Sequence, residues 1–222
     1  MSLTFRQVRH FIATAESGRV SAAAAALNVT QSAVTSSIKA LEADIVTMVD
    51  GLLEGVTGTM DVVADLAYPL PVAVICRLLG VPMADEPLFS RASALLAGGL
   101  DPFVAVDDET ADDTADLMEA GLWLRGYLRD LIEERRSSPG EDLISALIAA
   151  EEDGDQLTSE EIVATCNLLL IAGHETTVNL IGNGAVQLMR HPDQLTRLQE
   201  SPELWGNAVE EVLRYDSPVQ RT

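Results

Sequence analysis

The stretch 157–192, LTSEEIVATCNLLLIAGHETTVNLIGNGAVQLMRHP, decides how this chain is read. It opens on a capping box, Thr158 with Glu161, in which each side chain satisfies an amide that the first helical turn leaves free. It closes at Pro192, which cannot continue a helix. Between them apolar residues recur at spacings of three and four, so the pattern predicts one helix over 158–190. A helix of about 30 residues spans roughly 45 Å, the width of a whole domain. Near its middle stands AGHETT, residues 172–177. Gly173 removes a side chain and so lets a flat group lie close. Glu175 and Thr176 offer an acid and a hydroxyl beside that gap, an arrangement suited to delivering protons to a bound group. His174 reads as a residue facing solvent or the groove, not as a ligand.

Outward from this helix the same spacing continues. Further helices are predicted over about 4–17, 20–27, 30–56, 70–79, 86–98, 110–136, 141–151, 192–200 and 203–215, with no period-2 strand. The expected fold is therefore all-α, a bundle around one long central helix. Residues 99–113, GLDPFVAVDDETADD, read as an acidic loop. A composition of 47% hydrophobic and 22% charged residues is globular. A chain of 222 residues is long enough to bury a sizeable core. The two cysteines, Cys76 and Cys166, show no CxxC or metal-ligand spacing and read as buried free thiols in a reducing compartment. No metal site is expected. The first residues lack a signal-peptide core, and no run reaches the roughly 18 apolar residues of a membrane span. A cytoplasmic location without membrane association is expected.

Charge divides the chain. Residues 1–45 carry Arg6, Arg9, Arg19 and Lys39 against Glu16, Glu42 and Asp44, a net of +1, while residues 46–222 carry −22 of the total −21. An acidic body of that size repels nucleic acid and anionic membranes. Two segments, 1–45 and 46–222, therefore meet near residue 45. Yet Val34, Ile38, Leu41, Ile45, Met48 and Leu52 keep a spacing near 3.5 across that point, which predicts an unbroken helix from about 31 to at least 50.

The first segment has a legible plan. Phe5, Val8, Phe11, Ile12 and Ala15 mark one face of a first helix, a short second helix runs from Val20 to Leu27, and Thr30 is a candidate N-cap for a third. A tight turn between two short helices is the helix-turn-helix plan, which lays the start of the second in the major groove. The stretch FRQVRHFIATAESGRVSAAAAALNVTQSAVTSSIKALEADI resembles the DNA-binding head of LysR-type transcriptional regulators. The resemblance implies that Gln31, Ser32, Thr35 and Ser37 face bases or phosphates and Lys39 a phosphate. Ser36 stands where that family commonly has an arginine, and Val46 begins an unrelated sequence where the family continues into a wing. DNA binding is therefore expected to be weak or absent.

The second segment resembles the haem-thiolate monooxygenases of the cytochrome P-450 family. AGHETT is similar to their oxygen-binding motif. DVVADLAYPLPVAVICRLLGVP (61–82) and HPDQLTRLQESPELWGNAVEEVLRYDSPVQ (191–220) are similar to flanking stretches, the latter carrying a Glu-x-x-Arg pair at Glu211 and Arg214. That spacing alone says little, because Glu133 and Arg136 share it. The resemblance implies catalytic roles for Glu175 and Thr176, an oxygen and haem groove at Ala172, Gly173 and Thr177, and a structural ion pair at Glu211 and Arg214. It also implies haem and redox partners in the parent family. The family's thiolate lies in a Phe-x-x-Gly loop after the Glu-x-x-Arg helix, and this sequence runs only to Thr222. No cofactor is expected in this chain, which is expected to be inactive alone and to form a homo-oligomer through uncovered apolar faces. Three readings stay open: an oxygen-dependent hydroxylase fragment, a DNA-binding regulator module, and an inert fused helical scaffold.

Overall fold

The computed structural model describes residues 3–98, 111–150 and 157–219, and every regular element among them is helical. The α-helices are α1 Phe5–Ser17, α2 Val20–Ala26, α3 Gln31–Leu53, α4 Pro69–Leu79, α5 Glu86–Gly98, α6 Ala111–Ser137, α7 Leu143–Ala150, α8 Ser159–Arg190, α9 Pro192–Glu200 and α10 Trp205–Tyr215. The expected acidic loop lies outside the described residues over 99–110, and its last residues begin α6. Two short elements escaped the periodicity, a π-turn at Val63–Ala67 before α4 and a 3-10 turn at Pro202–Leu204 before α10.

Helices α4 to α8 build the main core around fully buried Leu79, Phe89, Leu124, Leu128, Ile132, Ile144, Ile162 and Leu170. Each such side chain stabilises the fold by about 1.5–3 kcal/mol relative to its exposed state. The head, α1 to α3, has only a small core of its own: Ala23, Ala24 and Val34, flanked by half-buried Ala13, Val20 and Ile38. It does not stand alone. Phe5 packs against the main core, its amide donates to the Glu141 carbonyl at 3.1 Å, and Arg6 pairs with Glu141 at 3.5 Å.

Helix α3 makes the stronger join. Thr30 caps it, its hydroxyl accepting from the Ala33 amide at 3.2 Å, and the helix passes residue 45 without a break. Val34, Leu41 and Met48 are buried, while Ile38, Ile45 and Leu52 are half-buried, as the spacing predicts. It packs on α1 and α2 of the head and on α4 and the π-turn of the body. It ends at Leu53, short of the expected residue 56, because Glu54 turns extended and Gly55 takes φ +83°.

The apolar face assigned to α1 is corrected. Phe11 and Ile12 are 51% and 47% exposed, whereas Gln7 and His10 are buried. Polar pairing turns the helix this way. The Gln7 side chain accepts from the Thr4 amide at 2.6 Å and donates to Asp44 Oδ2 on α3 at 3.2 Å. A buried amide and carboxylate that satisfy each other are expensive to separate.

A second polar knot locks the body. Asp142 accepts from Arg135 Nε at 2.7 Å and caps α7 by accepting from the Ser145 amide at 2.8 Å. Arg135 also donates to the Gly80 carbonyl at 2.6 Å. Gly80 ends α4 at φ +80°, where a Cβ would lie 2.5 Å from Asp142 Oδ2, so only glycine fits.

Candidate functional site

Helix α8 carries the site, and its ends behave as the sequence predicts. The Thr158 amide donates to Glu161 Oε2 at 2.7 Å, and the Glu161 amide donates to the Thr158 hydroxyl at 3.3 Å. The hydrogen bonds from Thr158 hold the Glu161 carboxyl below the usual carboxylate range. The helix then runs unbroken past AGHETT.

Successive residues turn by about 100° around a helix axis, and this divides the motif between two faces. Ile162, Val163, Cys166 and Leu170 are buried against the α4–α7 core, and His174 is buried on the same side. Gly173 belongs to this packed side. A Cβ there would meet Ile75 Cδ1 of α4 at 3.0 Å, so the missing side chain admits a neighbouring helix rather than opening a flat slot. Thr177 follows on the same side, and its hydroxyl donates to the Gly173 carbonyl at 2.9 Å. The other side is open. Leu168 is 65% and Leu169 38% exposed, Ala172 is exposed, and Glu175 and Thr176 are half-buried. By helical geometry all five lie within about 60° of Ala172. Ala172, Glu175 and Thr176 therefore share a face, Thr177 points away from it, and Gly173 sits at its edge, packed against Ile75.

Thr176 donates its hydroxyl proton to the Ala172 carbonyl at 2.8 Å. Its oxygen keeps acceptor capacity, while its proton is held within the helix. Glu175 stands one residue earlier on the same open face. The arrangement offers an acid and an acceptor oxygen to whatever lies on that face.

His174 is corrected. It faces neither solvent nor a groove: it is 2% exposed, and its ring meets Tyr68 edge-on at 4.4 Å and 89°. Neither ring nitrogen has a hydrogen-bond partner, nor does the Tyr68 hydroxyl. Burial lowers the His174 pKa, opposed in part by the nearby Tyr68 backbone, which lies close without bonding geometry. The ring is thus neutral and serves packing. Sequence reasoning missed this pair because Tyr68 lies far away in the chain, just after a π-turn that periodicity does not show.

Glu211 and Arg214 lie on α10 and pair through two contacts of 2.6 and 2.8 Å, both side chains exposed. The hydrogen bond from Arg214 lowers the Glu211 pKa. The pair touches no residue of the 172–177 turn among the contacts described. In the head, Gln31, Ser32, Thr35 and Lys39 are exposed and Ser37 is half-buried, on the first turns of α3.

Residues 5–48 match the family model of bacterial regulatory helix-turn-helix proteins of the lysR family, and residues 112–203 match that of cytochrome P450. The chain is 50% identical over 184 residues to the vitamin D(3) 25-hydroxylase of Pseudonocardia autotrophica, a match covering 82% of this chain and 43% of that protein. It is 45% identical over 174 residues to the cytochrome P450 monooxygenase PikC of Streptomyces venezuelae, covering 78% and 39%. Among solved structures, CYP164A2 of Mycobacterium smegmatis with econazole bound superposes with a TM-score of 0.73 at 60% identity, covering 83% of this chain and 46% of that one. The chain joins a LysR-type helix-turn-helix segment to a cytochrome P450 segment, and it spans less than half the length of these P450 relatives.

P450 proteins imply haem, held by a deprotonated cysteine at the iron. The donors on this chain do not fit that demand. Cys76 and Cys166 are both buried in the main core. Burial pushes each thiol up to about 12, assisted by Glu86 at Cys76 and by Asp142 at Cys166. Cys166 also lies on the packed side of α8, away from Ala172 and Thr176. Among the described residues no cluster of three or more histidine, cysteine or acidic side chains is placed to hold a metal ion. None of their helices is long and apolar enough to cross a membrane.

Proposed function

We propose that residues 46–222 are the helical part of an oxygen-dependent hydroxylase, with the open face of α8 as the side that meets haem and oxygen, and that these 222 residues alone neither hold haem nor catalyse. The observation that carries this reading is the shared placement of Ala172, Glu175 and Thr176 on one uncovered face. Glu175 and Thr176 are the proton-handling pair, and Ala172 lets a flat group approach. Gly173 and Thr177 support the helix from its packed side. Glu211 and Arg214 act as a surface pair that water screens. A substrate would be a small organic molecule, with electrons from separate redox partners.

The reduced carbon monoxide difference spectrum tests this. The protein after added haem should give only nonspecific or histidine-type bands. A thiolate-type Soret band abolished by Cys166→Ser would show that Cys166 does reach the iron.

The uncovered apolar surface supports a homodimer or larger assembly. Leu168 and Leu169 on α8, Met118 and Leu122 on α6, and Val209 and Leu213 on α10 are all exposed. Large exposed apolar surfaces are rare on monomers, and an assembly would cover these side chains. Light scattering at micromolar concentration should give a mass above the 23.7 kDa of one chain.

One observation favours a second role. The start of α3 presents Gln31, Ser32 and Thr35 to solvent, as a recognition helix does. With a head of net +1 beside an acidic body, binding at physiological salt should be undetectable and weak at low salt. A footprint on a defined site at about 150 mM salt, well screened by ordinary standards, would promote the regulator reading.

A further inference from the structure

The head and body enclose a groove of about 490 Å³ that neither segment forms by itself. One wall comes from α1 and the turn after α2, the other from the α6–α7 connection and α7. That volume falls in the ordinary range of small-molecule sites. Phe5, Leu27, Val29 and Ala149 give it apolar walls.

Its charges are not balanced. Both acids on the rim are already engaged. Asp142 is held by Arg135 at 2.7 Å and by the Ser145 amide at 2.8 Å. Glu141 pairs with Arg6 at 3.5 Å. Arg9 also lines the groove and has no ion pair or hydrogen bond among the described residues. Beside it in sequence, His10 lines the groove at 7% exposure, and its Nδ1 lacks a hydrogen-bond partner. A cation and an unsatisfied imidazole thus border an apolar slot whose carboxylates are spent. Such a site prefers an anion with an apolar tail, because the guanidinium gains a charge-assisted bond and the tail leaves water.

We propose that this seam is a binding site for a small amphipathic monocarboxylate, its carboxylate on Arg9 beside His10 and its apolar part between Phe5, Val29 and Ala149. The bound acid would touch both segments and so resist their separation.

Benzoate is the probe, with benzamide as its uncharged counterpart, titrated into the full chain and followed through the imidazole proton resonances. The chain has three histidines, so His10 can be assigned with a His10→Gln variant. Benzoate should shift the His10 resonance in a saturable way and leave the His174 resonance unmoved, and benzamide should bind about tenfold more weakly or worse. Arg9→Gln should weaken benzoate by a similar factor, and Ala149→Trp, which fills the slot from the body side with Arg9 intact, should abolish binding. Circular dichroism of both variants confirms that the fold is kept. Equal shifts from benzoate and benzamide, or a response that survives both variants, would overturn the proposal, as would no saturable shift in the unaltered protein.

Discussion

The two faces of α8 carry residues of similar chemistry and opposite duty. On the packed side, Ile162, Val163, Cys166 and Leu170 are buried in one core with α4 to α7, and His174 is buried against Tyr68. On the other, Leu168, Leu169 and Ala172 are exposed beside half-buried Glu175 and Thr176. Adjacent leucines differ only in which way the helix turns them. The contrast separates the residues that hold the helix in place from those it presents, and it runs through the AGHETT turn itself.

Truncation on the packed side should hurt most. Leu170→Ala removes a fully buried side chain from the main core and should cost about 2–5 kcal/mol, read from the urea midpoint at unchanged slope. The same change at Leu168 should move the midpoint by less than about 0.5 kcal/mol, since its side chain is mostly in water. Equal losses at the two positions would erase the distinction between the faces.

His174 tests the packed face through pH. Its folded pKa lies below the ordinary 6.5, because burial disfavours the charged ring. The unfolded state therefore binds the proton more readily, and the stability present above about pH 6.5 is lost as pH falls through the folded value. His174→Phe keeps an aromatic edge against Tyr68 and removes two unpartnered nitrogens. This variant should match or exceed the parent in stability at pH 7.5 and lose less between pH 7 and 5. His10, also lowered by burial and then by Arg6 and Arg9, remains in both proteins, so the difference isolates His174.

Gly173→Ala should have a smaller effect. The new Cβ meets Ile75 Cδ1 at 3.0 Å, the end of a flexible side chain. Replacing glycine within a helix returns up to about 1 kcal/mol, which offsets the crowding. A net change within about 1 kcal/mol of zero is expected in chemical denaturation. A much larger loss would show that Ile75 is pinned. The smallest effect should come from Glu175→Gln on the open face, with the unfolding midpoint unchanged within error.

Much of this was legible in the sequence. The capping box at Thr158 and the stop at Pro192 fixed the bounds of α8 because caps are local chemistry. The 3.5 spacing from Val34 to Leu52 predicted that α3 crosses residue 45 intact, because one stripe served two different neighbours. The orientation of α8 was not legible. Leu168, Leu169 and Leu170 stand in a row, so periodicity within the helix does not say which of them faces inward, and distant Ile75 and Tyr68 decide it. The face of α1 was misread for a related reason: a pairing of Gln7 with Asp44 outweighed the apolar count of Phe11 and Ile12. The groove at the seam belongs to neither segment and leaves no mark in either one's pattern.

The unbroken α3 also acts as a phase lock between the two parts. It grips both head and body along a shaft of roughly 35 Å, so the head's heading relative to the body is counted in residues. One residue inserted between Ile45 and Met48 would swing the head by about 100° around that shaft. Arg6 would leave Glu141, and Phe5 its place on the main core. A linker of flexible residues at this point would have forgiven such an edit. A helix keeps the tally, and head and body stay aligned only while the number of residues between Leu41 and Met48 stays as it is.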